Sequence, residues 1–215
     1  VLPIIIVSYA VGFFWEILFA AIRRHPISEG FLVTGLLFPL TLPPTIPLWQ
    51  VAMGISFGVV IGKEIFGGTG RNILNPALTA RAFVFFSYPV SMSGNIWVAG
   101  AEAVDGITGA TALAVNTEGG SSLFSTLSDQ GFSLSNLFFG FVPGSIGETS
   151  ALCCLIGAVF LMVTRIGNYR IILGGIAGLV ITAILFYLLP GTRGTWADAG
   201  PLYHLCAGGF LFGVS

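Results

Sequence analysis

The chain has 215 residues, of which 55% are hydrophobic and 8% are charged, and its mean hydropathy is +0.95. An average soluble domain has about a quarter charged residues, so this composition predicts an integral membrane protein. Eight basic and nine acidic residues give a net charge of −1, which provides no basic surface for nucleic acid. The three cysteines and two histidines lack the spacing of a metal site or a disulfide framework.

Apolar segments long enough to cross a bilayer, which takes about 20 residues, recur along the chain. Val1–Ile22 is the first. Phe31–Trp49 and Val51–Gly62 are shorter and are joined through prolines, so they form either two short spans or a broken, re-entrant pair. The further predicted spans are Ala77–Val90, Ala151–Thr164, Ile171–Leu189 and one that begins with Tyr203–Ser215. The predicted fold class is an all-α polytopic membrane protein.

Two local patterns predict where helices begin. Asn75 followed by Pro76 is typical of an N-cap and a first helical residue. Ser145 and Glu148 have the spacing of a capping box just before the apolar run from Ala151.

The distribution of basic residues predicts the orientation of the chain. The stretch from Ala82 to Thr164 contains acidic residues and no Lys or Arg. Because basic loops face the cytoplasm, the cytoplasmic loops are those with Arg23 and Arg24, with Lys63, Arg71 and Arg81, and with Arg165 and Arg170. The segment 91–143 is then predicted to be an extracytoplasmic loop, and a lone Arg193 is the exception to the alternation.

The segment Asp105–Thr111, DGITGAT, is a loop of small residues with two hydroxyl groups and one carboxylate. Its two glycines and one alanine allow another protein to approach the backbone and hydroxyls closely, as a modification site requires. By composition alone the segment is more typical of a plain turn.

A second unusual segment is Gly62–Ala77, GKEIFGGTGRNILNPA. It is too rich in glycine for a continuous helix, and it lies at the membrane boundary between two predicted spans. It lacks the spacing of a P-loop or of a dinucleotide-binding turn. Non-helical backbone at this depth is tolerated where it is buried in protein or lines a cavity; an ordinary polar loop is the alternative.

Taken together, these segments resemble the family of B subunits of the sodium-translocating NADH:quinone reductase. The resemblance rests on GKEIFGGTGRNILNPALTARAFVFF and DGITGATAL, with EGFLVTGLLFPLTLPPTIPLWQ upstream and PGSIGETSAL downstream. It covers the chain from about Gly12 to Gly213. The related D subunit of the Rnf complex shares the DGITGAT loop but differs in the glycine-rich block.

The resemblance implies that the chain carries FMN covalently, through a phosphoester to Thr111, the last residue of the family's D-G-x-(S/T)-G-A-T motif. The other matching positions are Asp105, Gly106, Thr108, Gly109 and Ala110. The flavin transferase of this family acts outside the cytoplasm, in agreement with the orientation predicted from the charges. The family also holds a non-covalent riboflavin and reduces ubiquinone, coupled to export of Na⁺.

The implied fold is similar to that of urea transporters, with two inverted helical repeats and broken helices. The chain has no initiator Met and stops inside an apolar run, so we expect a fragment. It would form a single transmembrane domain over residues 1–215, with the first repeat and part of the second. The implied partners are five other subunits and the lipid of the bacterial inner membrane. The flavinylated loop is expected on the periplasmic side.

Glu16 is an isolated acid within the first predicted span, and an intramembrane carboxylate is by default a functional-site hypothesis. A paired acid without a special role is the alternative. The family has an acid here that is linked to sodium handling, which makes Glu16 a candidate. The quinone region of the family has a Gly-Gly pair just before this acid, where the present chain has Gly12 and the bulky Phe13.

Two other functions remain as alternatives. An Rnf-type D subunit would share the flavinylated Thr111 but couple to ferredoxin, and the block Gly67–Pro76 argues against it. A solute channel of the urea-transporter type would leave Thr111 unmodified and gives no reason for the Asp105–Thr111 motif. Because flavins carry the electron chemistry in this family, we assign no catalytic side chain.

Overall fold

The computed structural model divides into two compact units, Val1–Ile96 and Trp97–Ser215. The residues it describes are 1–24, 26–27, 29–93, 96–99, 108–109, 112, 127, 131–188, 200–207 and 210–214.

Helix α1 (Leu2–Arg23) has 22 residues and confirms the first predicted span. At a rise of about 1.5 Å per residue it is long enough to cross the hydrocarbon core. Every fourth residue is buried, so one narrow stripe of α1 faces the protein: Ile4, Ser8, Gly12, Glu16 and Ala20. Apart from Ile4, the stripe consists of small and polar residues.

The next apolar region is broken into two helices, α2 (Gly30–Leu40) and α3 (Leu48–Val60). The linker between them contains Pro43, Pro44 and Pro47, which lack the N–H that a helix needs and restrict the residues before them. A 3₁₀ turn continues α3, and the combined segment Leu48–Phe66 is long and apolar enough to cross a membrane. Helix α2 has 11 residues and is too short to cross a membrane by itself.

Helix α4 (Pro76–Ser87) begins as predicted. The side chain of Asn75 accepts hydrogen bonds from the backbone N–H groups of Ala77 and Leu78 at 2.9 and 3.3 Å. The predicted span Ala77–Val90 is wrong at its far end, because Pro89 cannot continue the helix. A helix of 12 residues is about 18 Å long, short of the hydrocarbon thickness of about 30 Å.

Glycines allow α3 and α4 to pack with their backbones close together. A Cβ atom at Gly58 would lie 2.5 Å from the carbonyl oxygen of Pro76 and 2.6 Å from Cβ of Ala80. A Cβ atom at Gly54 would lie 2.5 Å from Cγ2 of Val84. Small residues at such interfaces are typical of membrane helices, whose association depends on close packing.

The second unit begins with a small antiparallel sheet in the order β2-β1-β3. Its strands are β1 (Trp97–Ala99), β2 (Thr108–Gly109) and β3 (Pro143–Gly144). Val98 of the central strand lies opposite Thr108 on one side and Gly144 on the other. The sheet therefore joins the two ends of the segment 91–143, whose extracytoplasmic location stays a prediction.

Three helices follow, α5 (Leu134–Phe139), α6 (Ala151–Val163) and α7 (Tyr169–Leu188). Helix α7 confirms the predicted span Ile171–Leu189 to within two residues. Helix α6 has nearly the predicted bounds, but its 13 residues are too few to cross a membrane. The predicted capping box is wrong. The N-cap of α6 is Ser150, which accepts from the N–H of Cys153 at 3.3 Å, while the Ser145 hydroxyl donates to the Glu148 carboxylate at 2.8 Å in the preceding turn.

The last described elements are two short helices, α8 (Pro201–Cys206) and α9 (Phe210–Val214), where the sequence predicted the start of one span. The apolar core of the second unit combines residues from distant parts of the chain: Ala112, Leu127, Phe132, Leu137, Val142, Tyr203 and Ala207. A second cluster joins α6 to α9 through Ala151, Cys154 and Leu211.

The described part of the chain contains three helical segments that are long and apolar enough to cross a membrane, Leu2–Arg23, Leu48–Phe66 and Tyr169–Leu188. Most apolar side chains of α7 are exposed, as expected for a helix that faces lipid or another apolar partner. The all-α membrane fold is thus confirmed. The inverted repeats and the single domain over 1–215 stay predictions.

Replacing Gly58 by Ala should destabilise the first unit, because the new methyl group collides with the α4 backbone. We expect the free energy of unfolding to fall by about 1–3 kcal/mol, the usual range for overpacking. Gly174→Ala is the matched control, since a Cβ atom there has no neighbour within 4 Å. Thermal unfolding of the purified full-length protein measures both. Equal stability of the two variants would contradict the close packing of α3 and α4.

Candidate functional site

The first unit contains a buried ion pair between Glu16 and Lys63. Glu16 lies on the inward stripe of α1, and Lys63 follows the last turn of α3. The Lys63 ammonium donates a hydrogen bond to Oε1 of Glu16. Each residue is only 2% exposed, so the pair is removed from solvent on both sides.

A second ion pair lies beside the first. Nη1 of Arg23, in the last turn of α1, is 3.5 Å from Oε2 of Glu64, the residue after Lys63. Glu64 is 1% exposed, whereas the Arg23 side chain is 32% exposed and also lies over the ring of Phe19 at 5.2 Å. This pair therefore extends from the buried interior to the end of the helix.

Together the two pairs bind α1 to the segment that follows α3. Glu16 and Arg23 are seven residues apart, about two helical turns, and so lie on one side of α1. Their partners are adjacent in sequence, and the four formal charges cancel. A lone charge in such a place is costly, and removal of one member of a buried pair typically costs about 3–5 kcal/mol. The arrangement thus fixes where the two helices meet.

The glycine-rich block explains how Lys63 and Glu64 stay inside. The N–H groups of Gly67 and Gly68 donate to the carbonyls of Glu64 and Lys63 at 3.0 and 3.2 Å, so the chain folds back on itself. The φ angles of the two glycines are +112° and +92°, values that other residues rarely adopt. A Cβ atom at Gly68 would lie 3.7 Å from Oε1 of Glu64, so this turn passes directly beside the buried carboxylate.

The predicted quinone region lies one turn from Glu16. A Cβ atom at Gly12 would lie 2.2 Å from Cζ of Phe31, so the Phe31 ring fills the space beside this glycine. The Phe13 ring packs edge-on against Phe31, with centroids 4.7 Å apart, and Tyr9 lies 5.9 Å from Phe13. Gly12, Phe13 and Glu16 are therefore neighbours on α1; their roles toward quinone and sodium stay predictions.

The predicted flavinylation motif belongs to the second unit, and five of its seven residues lie outside the described residues: Asp105, Gly106, Ile107, Ala110 and Thr111. Thr108 and Gly109 form strand β2. Ala112, the residue after Thr111 in sequence, is buried in the apolar core cluster of this unit. The two described residues of the motif are thus held in a sheet, and the residue that follows the motif is held in the core.

Comparison with known proteins decides the family. The model of the NQR2, RnfD, RnfE family matches residues 1–215, the whole chain. The chain belongs to this family. Within the NQR2, RnfD, RnfE family, it is similar to proteins named as the B subunit of Na⁺-translocating NADH-quinone reductase.

One such relative, from Chromohalobacter salexigens, is 53% identical over 99% of this chain and 50% of its own length. Another, from Azotobacter vinelandii, is 54% identical over 99% of this chain and 51% of its own length. A third, from Pseudomonas aeruginosa, is 50% identical with the same coverage. The chain spans about half the length of the curated relatives it matches.

The sequence alone indicates Glu16 but not the three other members of the two ion pairs, Arg23, Lys63 and Glu64. The distribution of charges assigns Arg23 and Lys63 to cytoplasmic loops, because basic residues near span ends usually mark the cytoplasmic side, and it gives Glu64 no role. A signal was present, since a carboxylate within a span requires a counter-charge and Lys63 directly follows the apolar residues of α3. The sequence did not say which basic residue would be the partner.

Replacing Glu16 by Gln should destabilise this family member strongly, because the Lys63 ammonium would stay buried without its acid. We expect the free energy of unfolding to fall by about 3–5 kcal/mol, and by less in Glu16→Gln/Lys63→Met, where no uncompensated charge is left. Thermal unfolding of the purified full-length protein measures both variants.

Arg71→Gln is the control for these variants, since it removes an exposed positive charge from the same loop. We expect it to change the stability by no more than about 0.5 kcal/mol. A double variant as unstable as Glu16→Gln alone would show that the buried pair is not what the single substitution breaks.

Proposed function

We propose that this chain is part of the B subunit of a sodium-translocating NADH:quinone reductase, a respiratory membrane complex that transfers electrons to ubiquinone and exports Na⁺ from the cytoplasm. The observation that carries the proposal is the identity of about half of all residues, over nearly the whole chain, with relatives of that name. The described fold agrees, since apolar helices of spanning length are what a component of a membrane complex requires.

Thr111 is the proposed attachment point of FMN, through a phosphoester between its hydroxyl and the FMN phosphate. Bound FMN supplies reversible electron transfer, which no protein side chain here provides. The chain contributes the acceptor hydroxyl and the small residues Gly109 and Ala110, which leave room for the flavin transferase. A non-covalent riboflavin is the second proposed flavin; no described residue is assigned to it.

The residues around the motif fit this role. Strand β2 pairs with β1 on one side and ends the order β2-β1-β3, so it is an edge strand of the described sheet. An edge strand leaves backbone groups open to another protein. Ala112, which directly follows the motif in sequence, is buried in the apolar core. The described residues before and after Thr111, strand β2 and the buried Ala112, are thus held by the rest of the unit, which suits an acceptor that a modifying enzyme must reach in a defined place.

The ion and quinone roles are proposed for the first unit. Glu16 is the proposed sodium ligand, because it is a buried carboxylate within a spanning helix. Gly12 and Phe13, one turn away, are the proposed quinone region. The Phe13 ring packs on Phe31, so a quinone ring that reached this position would meet an aromatic surface rather than an open notch.

The proposed partners are five other subunits, the flavin transferase during maturation, and the lipid of the bacterial inner membrane. The exposed apolar side chains of α7 are consistent with contact to lipid or to another subunit. We place the flavinylated loop on the periplasmic side, on the strength of the charge distribution alone.

Of the two alternatives, the Rnf-type D subunit remains the nearer, since the matching family model includes RnfD. The names of the similar proteins favour the B subunit of the reductase. The channel alternative leaves the DGITGAT segment without a purpose.

Thr111→Ala should abolish covalent flavin, because the acceptor hydroxyl is lost. We expect a flavin-fluorescent band in a denaturing gel of the full-length wild type, produced together with its flavin transferase, and none in the variant. Thr111→Ser keeps a hydroxyl and should keep part of the fluorescence. Thr117→Ala, in the same loop but outside the motif, is the matched control and should keep all of it.

Fluorescence that persists in Thr111→Ala would move the attachment site elsewhere. A wild type without fluorescence, with the transferase active on another substrate, would overturn the flavoprotein assignment and favour the channel.

A further inference from the structure

The Lys63 ammonium occupies the position that a free monovalent cation would take beside Glu16. The ammonium and an alkali cation carry the same single charge, and both are bound by oxygen atoms. Here the ammonium is held inside the protein, 2% exposed, against a carboxylate that is equally buried. The described protein thus already contains a cation site, filled by its own side chain.

The C-terminus of α3 strengthens the negative field at this position. The last helical hydrogen bonds of α3 are accepted by the carbonyls of Phe57, Gly58 and Val59, and Lys63 donates the last of them. A helix ends with carbonyl oxygens that have no helical partner and with a partial negative charge. In membrane transporters, such ends of interrupted helices coordinate cations.

We propose that the Glu16 carboxylate is an alkali-cation site whose resident cation is the Lys63 ammonium, so that Na⁺ binds there by displacing Lys63. The choice of Na⁺ rests on the proposed function. The described residues contain no group of three His, Cys, Asp or Glu side chains that could hold a metal ion. The proposed site thus has Glu16 as its charged ligand, with neutral oxygen atoms completing the coordination.

The exchange is balanced in charge, because one monovalent cation replaces another at the same carboxylate. Lysine suits the role, since its ammonium is a point charge on a flexible stem that can swing away without backbone change. Displacement removes one of the two links between α1 and the end of α3. Binding of Na⁺ would therefore loosen this contact, while the Arg23–Glu64 pair keeps the helices together.

The test uses the complete, detergent-purified complex and measures its thermal unfolding against Na⁺ concentration, with choline chloride to keep ionic strength constant. Lys63→Gln removes the competitor, so the Na⁺ concentration for half-maximal stabilisation should fall about tenfold or more. Lys63→Arg keeps a cation that is larger and more firmly bound, so it should raise the Na⁺ concentration for half-maximal stabilisation. Glu16→Gln, alone or with Lys63→Gln, should remove this Na⁺ dependence, and Arg71→Gln should leave it unchanged.

A lower Na⁺ midpoint in Lys63→Gln and a higher one in Lys63→Arg support the exchange. If one of these variants does not assemble, the shift of the midpoint in the other still tests it. Midpoints in both Lys63 variants within twofold of wild type, or Na⁺ dependence retained in Glu16→Gln, would overturn it. If ubiquinone reduction by the wild-type complex still depends on Na⁺ in that case, only the exchange fails. If ubiquinone reduction is independent of Na⁺, the proposed pumping function fails as well.

Discussion

The buried charges of the first unit are the constraint on which the rest of its structure depends. A carboxylate buried among apolar helices, such as that of Glu16, is costly without a counter-charge, and Lys63 provides the counter-charge from the end of α3. The chain turns back after the 3₁₀ turn Glu64–Phe66, which the left-handed glycines at 67 and 68 allow. The close packing of α3 on α4 at Gly58 is a second constraint on the same unit.

The sequence predicted the long helices well, because an apolar run of spanning length has few other stable structures. It also predicted the start of α4, where Asn75 makes the expected cap. It failed at the start of α6 and at the buried ion pair. Ser145 bonds with Glu148 in its own turn, and Ser150 caps α6 instead. The pairing of Glu16 with Lys63 joins residues 47 apart, and no local pattern specifies such a partner.

The two parts of the proposed function belong to different units of the chain. The flavinylation motif lies in the second unit, includes strand β2 and is followed by the buried Ala112, and it is recognised from the sequence. The proposed ion site lies in the first unit. The sequence alone indicates only one member of its ion pair, the acid Glu16. This difference has a physical reason. A modification motif is a continuous stretch of sequence, whereas a buried charge site is assembled from separate helices.

The most direct test of the buried pair is a charge swap in the full-length protein. Glu16→Lys and Lys63→Glu each place two like charges together in the interior, whereas the double variant restores an opposite pair in reverse order. We expect the double variant to unfold at a clearly higher temperature than either single variant. A double variant no more stable than the singles would contradict the direct pairing of Glu16 with Lys63.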